Sequence, residues 1–141
     1  MATFEKELKG VSLFSDLNQR QLRKLSRFCK ERKFRPGMTV LREGLISGVS
    51  FFVIVEGEAT VSVNGNELGR LEPGDHFGEL ALITEQARTA TVTAATELRC
   101  LTMAMWHFQR FLKDNPDTAW KLIQHLGREL VEARSTGQSP R

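Results

Sequence analysis

The residues best equipped for chemistry lie in one stretch, FGELALITEQARTATV, residues 77 to 92. Glu79 and Arg88 sit there among residues that belong in a core, where a charge without a partner is costly. Gly78 lets the backbone come close to a ligand, and Glu79-Leu80-Ala81-Leu82 can form a single helical turn whose free N–H groups suit an anion. Arg88 follows a short polar connection, Thr84-Glu85-Gln86, so its guanidinium can curl back over that turn and grip two phosphate oxygens. An ionised carboxylate offers only acceptors, so Glu79 needs a hydroxyl donor. A sugar hydroxyl next to a phosphate answers both charges. The plain alternative is a surface salt bridge between Glu79 and Arg88, which would be weak.

The elements that must hold this segment are legible in outline. Asn18, with Gln21 three residues later, reads as a capping box, and Leu22, Leu25 and Phe28 recur at helical spacing opposite Arg20, Arg23, Lys24 and Arg27. Pro36-Gly37 marks a turn into an extended segment around Thr39 to Leu41. FFVIV at 51 to 55 reads as a strand, ATVSV at 59 to 63 alternates with period two, and Asn64-Gly65 supplies the φ > 0 pair of a tight hairpin. Strands are also expected at Thr91 to Ala94 and Leu98 to Met103. Short strands punctuated by glycine turns favour an antiparallel sandwich or barrel. Helical spacing returns from about Met105 and breaks at Asn115-Pro116, where Asn115 can cap and Pro116 can open a last helix with Ala119, Ile123, Leu126 and Leu130 on one stripe. Residues 135–141 read as a frayed tail.

Composition narrows the function classes. With 141 residues, of which 40% are hydrophobic, one domain with a real core is expected. No run approaches the roughly 18 apolar residues of a membrane span, and the N-terminus lacks the apolar stretch of a secretory signal, so a cytoplasmic protein without membrane attachment is expected. Cys29 and Cys100 have no CxxC spacing and read as reduced, buried thiols rather than a disulfide or zinc site. His76 in PGDHFGE superficially resembles the metal strand of cupins, but it has no companion histidine among the strands, and His107 and His125 fall on helices; no metal site is expected. No nucleophile constellation or Walker-type loop is present, so no catalytic residues are assigned and the chain is read as a non-enzyme.

Segment 77–92 resembles the phosphate-binding cassette of the cyclic nucleotide-binding domains, through FGELAL at 77 to 82 and RTA at 88 to 90. GVSLFSDLNQRQLRKL, FRPGMTVLREG, FFVIVEGEATV and the unit around FLKDNPD resemble other family segments in the same order. The resemblance implies a mainly β fold, a β jelly roll (double-stranded β-helix) with an N-terminal helix and two C-terminal helices. It implies one domain over 1–134, helical over about 1–35, a β-roll over about 36–104 and C-terminal helices over about 105–134. It implies Arg88 on an equatorial oxygen of the cyclic phosphate, Glu79 on the ribose 2′-hydroxyl, and N–H groups of Leu80, Ala81 and Ala90 completing the cradle. Thr89 leaves cyclic GMP open, while the likeness to free-standing bacterial regulators favours cyclic AMP. Arg134 on the last helix is the candidate lid over the base. No cofactor other than this ligand is implied.

The expected function is therefore a non-catalytic cyclic nucleotide sensor that signals by rearrangement of its C-terminal helices to a separate effector protein. The alternative is a degenerate fold that acts as a protein-interaction domain without ligand. The last helix could also pair two copies into a homodimer. The basic face of Arg20, Arg23, Lys24 and Arg27 reads as a solvated helix face, which argues against nucleic-acid binding by this chain alone.

Overall fold

The computed structural model describes residues 4–42, 50–77 and 90–136, with Met105 described by its backbone alone. Its elements are α1 (Glu5–Lys9), a 3-10 turn (Ser12–Phe14), α2 (Gln19–Ser26), β1 (Lys30–Phe34), β2 (Thr39–Leu41), β3 (Ser50–Glu56), β4 (Ala59–Val63), β5 (Asn66–Leu71), β6 (His76–Phe77), β7 (Thr91–Ala94), β8 (Leu98–Ala104), α3 (Met105–Asp114) and α4 (Pro116–Thr136). The strands form two antiparallel sheets, in the orders β1-β8-β3-β6 and β2-β7-β4-β5. With helices at both ends of the chain, this is the expected β jelly roll.

The unbroken apolar run of β3 has a simple cause. Its alternate residues serve two different cores. Phe52 and Ile54 point between the sheets with Phe34, Phe77, Leu98 and Cys100. Phe51 and Val53 point the other way and meet Phe14, Leu101, Met103, Phe108 and Phe111 beneath the helices. Phe51 stacks on Phe108 at 5.7 Å between centroids and meets Phe14 edge-on at 5.8 Å. These contacts dock both the N-terminal segment and α3 onto one sheet face.

Local signals explain most element ends. The capping box forms as expected: Gln21 N–H donates to Asn18 Oδ1 and Asn18 N–H donates to Gln21 Oε1, both at 2.9 Å. Asn64 and Gly65 take φ of 52° and 81°, the pair of positive values that a two-residue hairpin turn needs between β4 and β5. Asn115 stands at the start of α4, where its carbonyl accepts from Ala119 N–H at 3.1 Å. Its carboxamide also reaches back, donating to Phe111 O at 2.9 Å and accepting from Lys24 Nζ at 3.3 Å.

Several features depart from expectation. Lys30–Phe34, placed by sequence in the helical part, is a strand: its register against β8 runs from Lys30↔Thr102 to Phe34↔Leu98. Only Phe34 of β1 is buried, so no alternation betrays it. The short helix α1 and the 3-10 turn also went unread, although Leu8, Val11, Leu13, Phe14 and Leu17 are all buried. The last helix runs two residues into the expected tail, with Ser135 Oγ donating to Val131 O at 3.0 Å. Cys100 is buried as expected, whereas Cys29 is only half-buried.

Two outcomes follow. Gly57 sits at φ +89°, and a Cβ there would lie 2.0 Å from Glu97 O in the adjoining turn. Gly57→Ala should lower unfolding free energy by more than about 2 kcal/mol in urea titration, since strain and a backbone clash add. Burial pushes the thiols of Cys29 and Cys100 up to about 12 from an ordinary 9.0. The folded chain keeps these protons where the unfolded chain loses them, so their contribution to stability holds below pH 9 and declines as pH rises toward 12. A thiol reagent at pH 8 should accordingly leave Cys100 unmodified until the chain is unfolded.

Candidate functional site

The site expected from sequence falls between β6 of one sheet and β7 of the other along the chain. Gly78, Glu79, Leu80, Ala81, Arg88 and Thr89 lie outside the described residues, while both ends of their segment are described. On the upstream side, Glu72-Pro73-Gly74-Asp75 forms a turn in which Asp75 N–H donates to Glu72 O at 2.9 Å and Glu72 N–H donates to Asp75 Oδ2 at 2.8 Å. Gly74 N–H donates to Ile54 O and Ile54 N–H donates to Asp75 O, each at 2.9 Å, which sews the turn to β3. The chain then enters β6, where His76 faces Val53 and Phe77 faces Phe52.

Phe77 is the upstream anchor. Its ring lies parallel to that of Phe52, with centroids 5.0 Å apart, and it is 7% exposed. An offset aromatic pair buried in this way contributes about 0.5–1.5 kcal/mol beyond its area. The described part of the segment therefore ends at a packed residue on the edge strand of the first sheet. His76, half-buried, sets its ring 5.8 Å from that of Phe51.

The downstream anchor belongs to the other sheet. Ala90, half-buried, directly precedes β7, whose register against β4 runs from Thr91↔Ser62 to Ala94↔Ala59. Val92 and Ala94 are buried between the sheets. Val92 lies in a cross-strand row with Leu41 of β2, Val61 of β4 and, beyond it, Gly69 of β5. A bulge between Val61 and Ser62 leaves Leu68 out of register beside this row, 65% exposed. Sequence reasoning did not single out Val61 or Leu68. The exposure of Leu68 follows from the β4–β5 register, so no local sequence signal marks it.

Two arginines elsewhere on the roll form ion pairs. Arg99 donates to Glu31 at 2.8 Å and to Glu56 at 3.1 Å, and the bond to Glu31, with help from Glu56, holds its guanidinium above the ordinary range despite partial desolvation. Arg70 pairs with Glu58 at 2.6 Å. Among the described residues no group of histidine, cysteine or carboxylate side chains could hold a metal ion, and the histidines lie on separate elements: His107 beside Phe28, His125 beside Glu129 at 3.0 Å. No helix is long and apolar enough to cross a membrane among those residues.

The last helix is tied to the N-terminal segment. Lys121 Nζ donates to Gln21 Oε1 at 2.9 Å, and Arg128 pairs with Asp16. Arg134, the expected lid, lies exposed near the end of this helix. Trp120, Ile123 and Val131 are also exposed on it.

Comparison with known proteins agrees with this architecture. The model of the cyclic nucleotide-binding domain matches residues 31–115. A cAMP-dependent protein kinase regulatory subunit of Yarrowia lipolytica is 38% identical over 107 residues, which cover 74% of this chain and 28% of that protein. A cGMP-dependent protein kinase of Plasmodium berghei is 33% identical over 93 residues, 66% of this chain and 11% of the relative. The chain thus spans a minor part of either relative. The N-terminal domain of a transcriptional regulator from Streptomyces coelicolor superposes with a TM-score of 0.78 at 29% identity, covering 96% of this chain and 99% of that one. The regulatory domain of Toxoplasma gondii PKA with cAMP superposes with a TM-score of 0.77 at 24% identity, covering 92% and 49%, and shares the fold. Two sheets closed over a common core, flanking helices and a family match that takes in the whole charged segment lead to one conclusion: this chain belongs to the cyclic nucleotide-binding domain family.

Proposed function

We propose that the chain is a non-catalytic, cytoplasmic cyclic nucleotide sensor, with cyclic AMP the favoured ligand and cyclic GMP accepted through Thr89. The observation that carries the reading is the family match across residues 31–115, which includes Glu79 and Arg88 in the spacing that pairs an anion with a sugar hydroxyl. The described anchors support it. Phe77 and Ala90 hold the described ends of the charged segment on different sheets, which supports a ligand contacted from both.

In this reading Arg88 holds an equatorial phosphate oxygen, and Glu79 accepts from the ribose 2′-hydroxyl, the donor left when the 3′ and 5′ oxygens are tied into the phosphate ring. Gly78 admits the ligand close to the backbone, and N–H groups of Leu80, Ala81 and Ala90 complete the cradle. Each charge-assisted contact contributes about 1.5 to 3 kcal/mol net. Arg134 covers the base from the last helix. Relatives named as regulatory subunits of a cAMP-dependent kinase support a regulatory output, here a shift of α3 and α4 read by a separate effector protein. The exposed stripe of Trp120, Ile123 and Val131 supports pairing of two copies along α4.

Thermal unfolding tests the reading. Ligand at a hundred times its dissociation constant should stabilise the fold by about 2.7 kcal/mol, raising Tm by several degrees. Arg88→Ala should remove the rise with both nucleotides while leaving the ligand-free Tm within about a degree or two. No rise with either nucleotide in the unaltered chain would instead favour a fold that keeps only protein contacts. Light scattering on the same samples reads the pairing: twice the chain mass supports it and a monomer removes it, with the ligand reading unaffected.

A further inference from the structure

The residues from Gln19 to Arg35 carry eight lysines and arginines against a single carboxylate, Glu31, although the whole chain is only +3. They occupy two successive elements, α2 and β1, joined through Arg27, Phe28 and Cys29. The helix turns Leu22 and Leu25 into the core, so Arg20, Arg23 and Arg27 face outward. The strand exposes all of Lys30, Glu31, Arg32 and Lys33.

The charge is not cancelled within the fold. Glu31 is already taken by Arg99 from β8, at 2.8 Å, and that arginine also binds Glu56. Arg23 meets Glu5 at 3.3 Å, and Lys24 meets the neutral Asn115. Among the described residues Arg20, Arg27, Lys30, Arg32 and Arg35 have no carboxylate within ion-pair distance. The Arg32 guanidinium instead lies over the Phe34 ring, 4.9 Å from its centre.

Position adds a second feature. β1 ends its sheet, and among the described residues it pairs with β8 alone, so its outer row of N–H and C=O groups meets no strand among those residues. Lysines on an edge ordinarily repel a further strand. Here the sign is uniform, so the edge repels neutral and basic strands and attracts an acidic one.

We propose that the outer edge of β1, flanked by the cationic face of α2, docks an acidic segment of another protein in extended form. Main-chain hydrogen bonds to β1 supply register, and alternate carboxylates meet Lys30, Arg32 and Arg27. A nucleic acid fits less well, because the exposed aromatic side chains, Trp106 and Trp120, lie on α3 and α4 and offer this patch no stacking platform. A membrane surface also fits less well, since the apolar face of α2 is consumed by the core. Lys33 and Arg35 also line a cavity of about 620 Å³ beside the strand, where Glu31, Glu56, Glu97 and Arg99 make the lining mixed in charge. The docking edge, β1, and the strand that precedes the charged segment in sequence, β6, are opposite edges of the same sheet.

Fluorescence anisotropy with a short labelled peptide alternating glutamate with threonine and valine tests this on the full chain. Saturable binding is expected, weakened by added salt and reduced about tenfold by the double substitution Lys30→Glu, Arg32→Glu. Arg20→Glu, Arg27→Glu should weaken it similarly, which keeps the test open if the strand variant folds poorly. Hydrogen exchange should show new protection of β1 amides in the complex, and a peptide of equal charge interrupted by proline should bind far more weakly. The idea fails if the alternating peptide does not bind or the proline peptide binds equally well. It fails equally if single-stranded DNA or phosphatidylserine vesicles bind more tightly than the peptide.

Discussion

The middle of β3, Phe51–Ile54, is buried on both faces, and the architecture follows from that constraint. A strand segment that is apolar on both faces must be covered twice, so Phe52 and Ile54 require a second sheet while Phe51 and Val53 require helices. The N-terminal helical segment and the two C-terminal helices meet that second requirement together, which is why chain ends far apart in sequence are neighbours in space. Fully burying each such side chain contributes about 1.5–3 kcal/mol, enough for this strand alone to decide where its neighbours go.

The same constraint opens a place for polar chemistry. Strand β6 belongs to one sheet and β7 to the other, and the sequence between Phe77 and Ala90 carries Glu79 and Arg88. A charge in the middle of a strand would cost its sheet several kcal/mol. At an edge it can meet a ligand that brings its own compensating groups. The helices that cover the outer face of β3 are also joined to one another by Lys121 with Gln21 and by Arg128 with Asp16, so a displacement of α4 is felt at α2 and the 3-10 turn.

Legibility in the sequence followed the range of the interactions. Local chemistry was readable: the Asn18–Gln21 box, the Asn64-Gly65 turn and the break at Asn115-Pro116 each depend on residues a few positions apart. β1 was not, because Lys-Glu-Arg-Lys becomes a strand only by pairing with β8, whose partner residues lie some 70 positions away. α1 and the 3-10 turn are too short to show a helical period, and tertiary burial of Leu8 and Phe14 holds them instead. Of the site, the residue types and spacing in segment 77–92 were legible, along with the strand that follows it. The aromatic stack under Phe77 and the bulge that exposes Leu68 depend on cross-strand register, which no local pattern encodes.

The most direct measurement is isothermal titration of the chain with cyclic AMP and with its 2′-deoxy analogue. If Glu79 accepts from the ribose hydroxyl while Arg88 holds the phosphate, cyclic AMP binds one to one and the deoxy analogue binds about tenfold or more weakly, a difference that Glu79→Gln largely erases. Equal affinity for the two ligands in the unaltered chain, or no heat with either, would contradict the account.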